Sequence, residues 1–384
     1  MTTADVIVIG GGVIGGSIAY HLLARDPRLK MVLLEKEAEV GTGATSKATG
    51  GVRHQFSTEA NIRLTQLSYP YFAETERILG RSVDFVPHGY LFVTTEPRTF
   101  EQLKRNVALQ QRLGVKSRLV APSEMKPMLS QLVADDLLGG TFCPDDGSAD
   151  PYGLLQGFLA LARERGLRVL TSEPVVGVIR DGQRVVGVET PRDRYAARVV
   201  VNAAGPYADQ VGALAGVAIP SKPYRRQVMV TDPLPDFPEV FPLIVDLDTG
   251  WYVHRQGKSA VLMGGTDKDQ HPGYDITVDW EAFDLVFKAA GKRVPPLADA
   301  KVMRAYAGVR DLTPDYHGIL CEAREVPGFS IACGFSGHGF MHSPAIGLLM
   351  AELILDGRAT SMDIAALSLE RFKGGTVSTE ANMF

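Results

Sequence analysis

Six residues, Gly10-Gly11-Gly12-Val13-Ile14-Gly15, stand between the apolar run DVIVI and a helically spaced stretch that reaches about Ala24. Glycine lets a backbone turn tightly and approach a pyrophosphate, and the N-terminus of a following helix favours the negative charge. The next apolar run, MVLLE, ends in Glu35, followed by Lys36. An acid about 20 residues past such a turn accepts hydrogen bonds from a ribose diol. A glycine turn alone occurs in any α/β protein. Strand, turn, helix and acid together point to a dinucleotide site.

The residues beyond Glu35 bear on which dinucleotide it is. Residues 41–53 read GTGATSKATGGVR, a second cluster of glycines and hydroxyls. Such a cluster is either a surface loop or a nest of backbone N–H groups that extends along a longer ligand. A β-meander comes later: PVVGVIR, RVVGVET and YAARVVV are short alternating runs joined by turn residues such as Asp181-Gly182. Val175, at its start, can face an adenine with its backbone. The last run enters Asn202-Ala203-Ala204-Gly205 and a predicted helix, PYADQVGALAG. Near the chain's end stands IACGFSGHGFMHSPAIG, residues 331–347. It predicts a strand over 328–333, a glycine turn, and a helix from about Ser343 to Asp356. The positive N-terminus of that helix, worth roughly half a charge, suits a ring edge that becomes anionic on reduction. A chain that leaves a cofactor domain and returns in this way has the pattern of a flavoprotein with two dinucleotide-binding domains.

These motifs resemble the FAD-dependent amine oxidoreductases of the D-amino-acid oxidase superfamily, the group that holds glycine oxidase, the β subunits of sarcosine oxidase and the β subunit of dye-linked proline dehydrogenase. Four blocks carry the resemblance along nearly the whole chain: VIGGGVIG, VVVNAAGPYAD, GVRDLTPD at 308–315, and GFSGHGF at 334–340. It implies an α/β fold of mixed type, with a Rossmann-like FAD domain and a mixed-sheet substrate domain. It also implies oxidation of a carbon–nitrogen bond by hydride transfer to flavin N5, with O2 or another electron acceptor. Carried over, Gly10, Gly12, Val13, Ile14, Gly15, Glu35 and Lys36 hold the adenosine half of FAD. Thr45, Ser46, Gly50 and Gly51 follow the pyrophosphate, Val175 meets the adenine, and Gly205 belongs to the returning turn. Gly334, Ser336, Gly337, His338, Gly339, Phe340 and Met341 line the edge of the ring. Position 308, where related sarcosine oxidases carry a flavin-linked cysteine, is glycine, so a noncovalent FAD is implied.

The same resemblance makes Arg310 the partner of a substrate carboxylate and Tyr252 a substrate contact. A planar guanidinium binds a carboxylate bidentately and stays charged in a dry pocket. The alternatives are an ion pair of Arg310 with Asp311 or Asp315, and Tyr252 as a plain core aromatic. His338 is read without an obligatory proton-transfer role, since the helix dipole disfavours its protonated form. Arg53-His54 faces either the flavin or a carboxylate. Met341 and Leu262 stand where related oxidases have lysines, which tilts the reading toward a dehydrogenase. A hydroxy-acid or glycerol-phosphate dehydrogenase, a noncatalytic FAD-binding subunit and an NAD-dependent dehydrogenase are the competing readings. The last leaves residues 41–53 and 331–347 without a purpose.

The elements that must position these residues predict a discontinuous FAD-binding domain of residues 1–84, 146–220 and 306–384. A cap of residues 85–145 and 221–305 makes the substrate pocket. With 384 residues the chain suits two domains, and 45% apolar with 22% charged residues is a globular composition. The balance of 40 basic against 44 acidic side chains implies no nucleic-acid partner. Three cysteines without a CxxC pair argue against a metal site or a disulfide framework, and for a cytoplasmic setting. Glycines interrupt the apolar N-terminus, so it is read as neither signal peptide nor membrane span. The β-subunit resemblance allows a partner subunit, and the tail GGTVSTEANMF is expected to fray.

Overall fold

The computed structural model describes residues 2–235, 237–257, 259–265, 271–374 and 378–382. Strand β1 (Val6–Ile9) runs into helix α1 (Val13–Arg25) and on to β2 (Met31–Leu34), as the apolar pattern requires. All eight strand residues are buried, which is the signature of a parallel strand covered on both faces. Around this unit a six-stranded sheet forms. From one edge its order is Ile319–Glu322, Phe329–Cys333, Val199–Asn202, β1, β2 and Arg168–Leu170, with only the Ile319–Glu322 edge antiparallel.

One face of this sheet is covered by α1, α2 (Glu59–Ser68), α3 (Pro151–Glu164) and α4 (Gly339–Asp356), whose apolar residues share one core. The other face meets the meander. There the run YAARVVV is not one strand. Arg194–Ala196 pairs with Arg184–Glu189 and Thr2–Thr3, whereas Val199–Asn202 pairs with β1 and Phe329–Cys333. The N-terminal chain changes sheets at the same level, between Thr3 and Val6, and the Arg198–Asp5 ion pair, 3.0 Å, marks the crossing. Alternation of residue type does not report which sheet a strand joins.

Helix α4 begins at Gly339, four residues before the expected start, and contains Pro344. The carbonyl that Pro344 cannot serve, on Phe340, accepts the Ser343 hydroxyl at 2.9 Å. The Ala345 N–H donates to Ser68 Oγ at 3.1 Å. Side chains thus repair the ladder, and the helix N-terminus moves up to the glycine turn itself.

The second large sheet has eight strands in the order Val302–Leu312, Lys222–Thr231, Ala260–Gly264, Tyr252–Gln256, Leu243–Asp246, Tyr90–Thr94, Gly139–Cys143 and Arg118–Val120. Its residues alternate between faces, as strand geometry demands. Met229, Val253, Val261 and Met263 pack against helix Trp280–Arg293. Tyr90, Phe92, Val228, Tyr252 and Leu262 form the opposite face. Among the described residues no helix is long and apolar enough to cross a membrane.

Candidate active site

The first glycine turn has no room for side chains. Gly10 sits at φ +109°, and a Cβ on Gly15 would lie 2.0 Å from the Gly10 carbonyl oxygen, so helix and turn approach as closely as backbones can. The Gly11 N–H donates to Glu35 Oε2 at 2.8 Å and the Glu37 N–H to Oε1 at 2.9 Å, which fixes the carboxylate at the mouth of the turn. The Val13 N–H donates to Thr45 Oγ1 at 3.0 Å, joining the second glycine–hydroxyl cluster to the first. Residues 172–173 run alongside: Ser172 N–H to Glu37 O, 2.7 Å, and Glu173 N–H to Glu35 O, 2.9 Å. Val175 comes next, partly buried against the core beneath the meander. Gly10 also abuts Ala203, so the turn that holds Gly205 lies next to the first. These residues fit an adenine dinucleotide: a side-chain-free turn, a 13-residue helix aimed at it and an acid at the strand end.

Two more of the residues expected there, Lys36 and Ser46, make side-chain contacts within the protein. Lys36 bonds Glu37 and lies 4.4 Å over the Tyr207 ring. The Ser46 hydroxyl donates back to Thr42 O at 3.1 Å. Gly50 and Gly51 lead toward the second sheet, where the Tyr90 phenol fills the space a Gly51 side chain would need.

The final return arrives beside the first motif, with Gly339 facing Ile14. Ser336 is fully buried at φ +52° and its hydroxyl bonds Gly334 O and Thr313, 3.2 Å each. Phe340 and Met341 turn into the helical core, which leaves backbone at this edge. Gly337 is the position where glycine is required. It has φ +88°, and its Cβ would stand 3.0 Å from Arg310 Nη1, so the guanidinium lies flat against the turn.

Arg310, half-buried, reaches from the long strand Val302–Leu312 to the Gly337 turn. Burial pushes its pKa down, and the Tyr252 and Tyr90 phenols oppose that. The acids next to it in sequence are engaged elsewhere. Asp315 pairs with Arg371 at 2.8 Å, and Asp311 accepts the Gly334 N–H at 2.6 Å, with burial raising its pKa to about 6. Tyr252 is buried on the sheet face it shares with Leu262, and burial raises its pKa.

Arg53, 2% exposed, is held by backbone. Its Nη1 donates to Gln55 O at 2.6 Å, Nη2 to Asn382 O at 2.8 Å, and the Phe56 ring lies 3.9 Å away. Burial lowers its pKa to about 10 while the Glu380 carboxylate opposes the shift. Arg53 Nη2 also lies 3.2 Å from His338 Nε2. A guanidinium only donates, so Nε2 accepts and the imidazole is neutral with its proton on Nδ1. Burial and the Arg53 charge both push the His338 pKa far down. His54 turns away from this pair. Its Nδ1 meets Asp146 Oδ1 at 2.9 Å, and Gln55 Nε2 donates to Oδ2 at 3.1 Å.

Asp146, Tyr90, Glu380 and Asn382 escape the motif reading. Asp146 lies in the turn between Gly139–Cys143 and Gly147–Ser148, strands of two different sheets, and Tyr90 shows only as an alternating strand residue. Of the tail expected to fray, residues 375–377 and 383–384 lie outside the described residues; within 378–382, Glu380 and Asn382 are buried, at 1% and 4% exposure, because polar partners at Ser57, Asn61 and Gln55 receive them. A cavity of about 600 Å³ opens on the far face of the second sheet, between Trp251 and helix Trp280–Arg293. Neither Arg310, Tyr252, Arg53 nor His338 lines it.

Residues 5–353 match the family model described as FAD dependent oxidoreductase, DAO. By sequence the chain is 31% identical, over 97% of its length, to the mitochondrial sarcosine dehydrogenase of Homo sapiens, of which it spans 42%. It is thus similar to less than half of that relative. Its structure is similar to L-proline dehydrogenase from P. horikoshii, with TM-score 0.90 and 30% identity over 97% of this chain and 98% of that one. Glycine oxidase from Geobacillus kaustophilus gives TM-score 0.86 and 25% identity over 97% and 99%.

Proposed function

The chain belongs to the DAO family of FAD-dependent oxidoreductases, and from that premise we propose that it oxidises the carbon–nitrogen bond of a small amino acid or N-alkyl amino acid. The substrate is of the sarcosine, glycine or proline kind, the substances named for its relatives. The observation that carries this is the placement of Arg310: a half-buried guanidinium laid against Gly337, where helix α4 opens, and close enough to the phenols of Tyr252 and Tyr90 for their charges to act on it.

The glycine turn, Glu35 and the Thr45 segment would hold FAD noncovalently, and it would supply the hydride acceptor; the imine product would hydrolyse in water. The remaining work falls to side chains. Arg310 binds the carboxylate and so fixes which carbon is presented, with a charge-assisted geometry that few other residues supply. Tyr252 and Leu262 form an apolar wall that excludes water. The His338 Nε2 lone pair is already engaged by Arg53 and cannot take the amine's proton; that proton passes to solvent, and the amine lone pair assists departure of the hydride. The division into an FAD domain (1–84, 146–220, 306–384) and a cap (85–145, 221–305) belongs to the same proposal, with the two large sheets as its support. So do a cytoplasmic setting, supported by three buried free cysteines, and a partner subunit.

Visible spectra of the purified protein, before and after anaerobic addition of proline, sarcosine, glycine, other D- and L-amino acids and a hydroxy acid, test the reading. Flavin bands that bleach with one amino acid support it. Bleaching by the hydroxy acid alone, or by none, overturns it.

A further inference from the structure

Residues 378–382 lie beyond the stretch that matches the family model, which ends at 353, yet two of them, Glu380 and Asn382, enter the interior. Glu380 accepts from five donors: Ser57 N–H at 2.8 Å and Ser57 Oγ at 2.7 Å, Thr58 Oγ1 at 3.0 Å, Asn61 Nδ2 at 3.1 Å and Asn382 N–H at 3.0 Å. Most of these come from the start of α2, where unpaired N–H groups and the helix dipole favour a negative charge. The Glu380 N–H donates to Asp315 O at 3.1 Å, in the block that carries Arg310. Asn382 is clamped by Gln55 O, 3.0 Å from its Nδ2, and by Asn106 Nδ2, 3.0 Å from its Oδ1. Its carbonyl then takes one arm of Arg53 while Gln55 O takes the other.

We propose that Glu380 and Asn382 are positioning residues of the active site: the docked tail segment holds Arg53 against His338 at the opening of α4. The proposal rests on the reading of Arg53 and His338 as pocket residues. Its logic is polar. The exposed neighbours Ser378, Thr379 and Ala381 bury no apolar surface, so the segment does not serve as hydrophobic glue. Directional bonds to a buried carboxylate specify geometry, and they are costly to leave unmade. They terminate on a buried guanidinium whose position decides which nitrogen of His338 carries the proton.

The test uses the full-length holoprotein and two variants, Glu380→Ala and Asn382→Ala, the second of which leaves the charge unchanged. His338 faces Arg53 from the segment after Gly51–Val52, Arg310 from its strand, His317 from the loop beyond, His342 one turn along α4, and the edge of Phe56. The expected result has three parts. Flavin content per chain stays at the wild-type value. The 15N signals of the His338 ring, identified by their loss in His338→Asn, show one neutral tautomer from pH 6 to 8 in the wild type and become pH-dependent in Asn382→Ala. Affinity for acetate, read from perturbation of the flavin bands, falls about tenfold in both variants. Wild-type His338 signals and acetate affinity in the variants would overturn the positioning role. If wild type itself ignores acetate while the His338 signals still move, the carboxylate pocket fails and the positioning role stands. Should Glu380→Ala not fold, Asn382→Ala alone decides.

Discussion

The two halves of the site are built from different materials. The proposed nucleotide cradle is mostly backbone: a glycine turn, a helix N-terminus and one acid within residues 6–35, with the Thr45 hydroxyl joined to them. The proposed substrate chamber is made of side chains carried in from Arg53, Tyr90, Tyr252, Arg310 and His338, scattered along most of the chain. Backbone recognition tolerates almost no change in shape but many changes in sequence around it. Side-chain recognition is the reverse. A perturbation of the cradle is therefore expected to abolish cofactor binding outright, and one in the chamber to change rates on an intact flavoprotein.

The sharpest way to break that contrast is Gly15→Val. A Cβ there meets backbone oxygen at 2.0 Å, which no rotamer relieves. The expected cost is about 3 kcal/mol or more, read as loss of the yellow holoprotein. A Gly15→Val protein that retains its full complement of FAD would show that the turn is not the cradle. In the chamber, Arg310→Ala should keep its flavin and lose roughly 2–5 kcal/mol in kcat/KM for a carboxylate substrate. An Arg310→Ala protein with full activity would remove that residue from the pocket.

The histidines sharpen the comparison in another way, because both halves bury them neutral. Burial pushes His21, in α1, down to about 4, His342, in α4, to about 3, and His254, in the second sheet, to about 4. A folded pKa below the unfolded value means that the unfolded chain binds the proton first. Stability is then complete above about pH 6.5 and falls as the pH drops toward 4, by on the order of 3 kcal/mol at most for each such group. Asp311 runs the opposite way. Its folded pKa, near 6, lies above the ordinary value, so its contribution is largest in acid and fades as pH rises through 6. The histidines outnumber it, and Tm should decline from pH 6.5 to 4.5. A less steep decline in His21→Gln than in His254→Gln would identify the cradle as the region that acid opens first. A Tm that is flat over this range would contradict the assignment of neutral buried imidazoles.

This asymmetry also explains which parts of the site are legible in the sequence. The cradle is legible because its residues are adjacent and glycine has few other reasons to recur with that spacing. Arg310, Tyr252 and His338 are legible only through resemblance, since a lone arginine or tyrosine in a strand carries no local mark of its target. Asp146 and Tyr90 have no mark at all. The start of α4 departs from expectation because Pro344 reads as a helix beginning, whereas Ser343 and Ser68 supply the bonds that let it sit inside. The tail departs for a related reason: small polar residues look solvent-bound until the polar groups waiting for them, on α2 and beside Arg53, are seen in three dimensions.

Two smaller effects separate contact from cradle. Glu35→Ala removes the acceptor fixed at the turn and should weaken FAD retention by about 1–3 kcal/mol, seen as flavin lost on dialysis with kcat unchanged in excess FAD. Tyr252→Phe is the mildest change. The ring stays on its sheet face beside Leu262, and only the phenolic oxygen near Arg310 is lost. One neutral hydrogen-bonding group is worth about 1 kcal/mol, so KM should rise several-fold with kcat and flavin content nearly constant. If kcat instead falls a hundredfold, the phenol acts on the reacting atoms themselves, and the chamber depends on more than a carboxylate clamp and a dry wall.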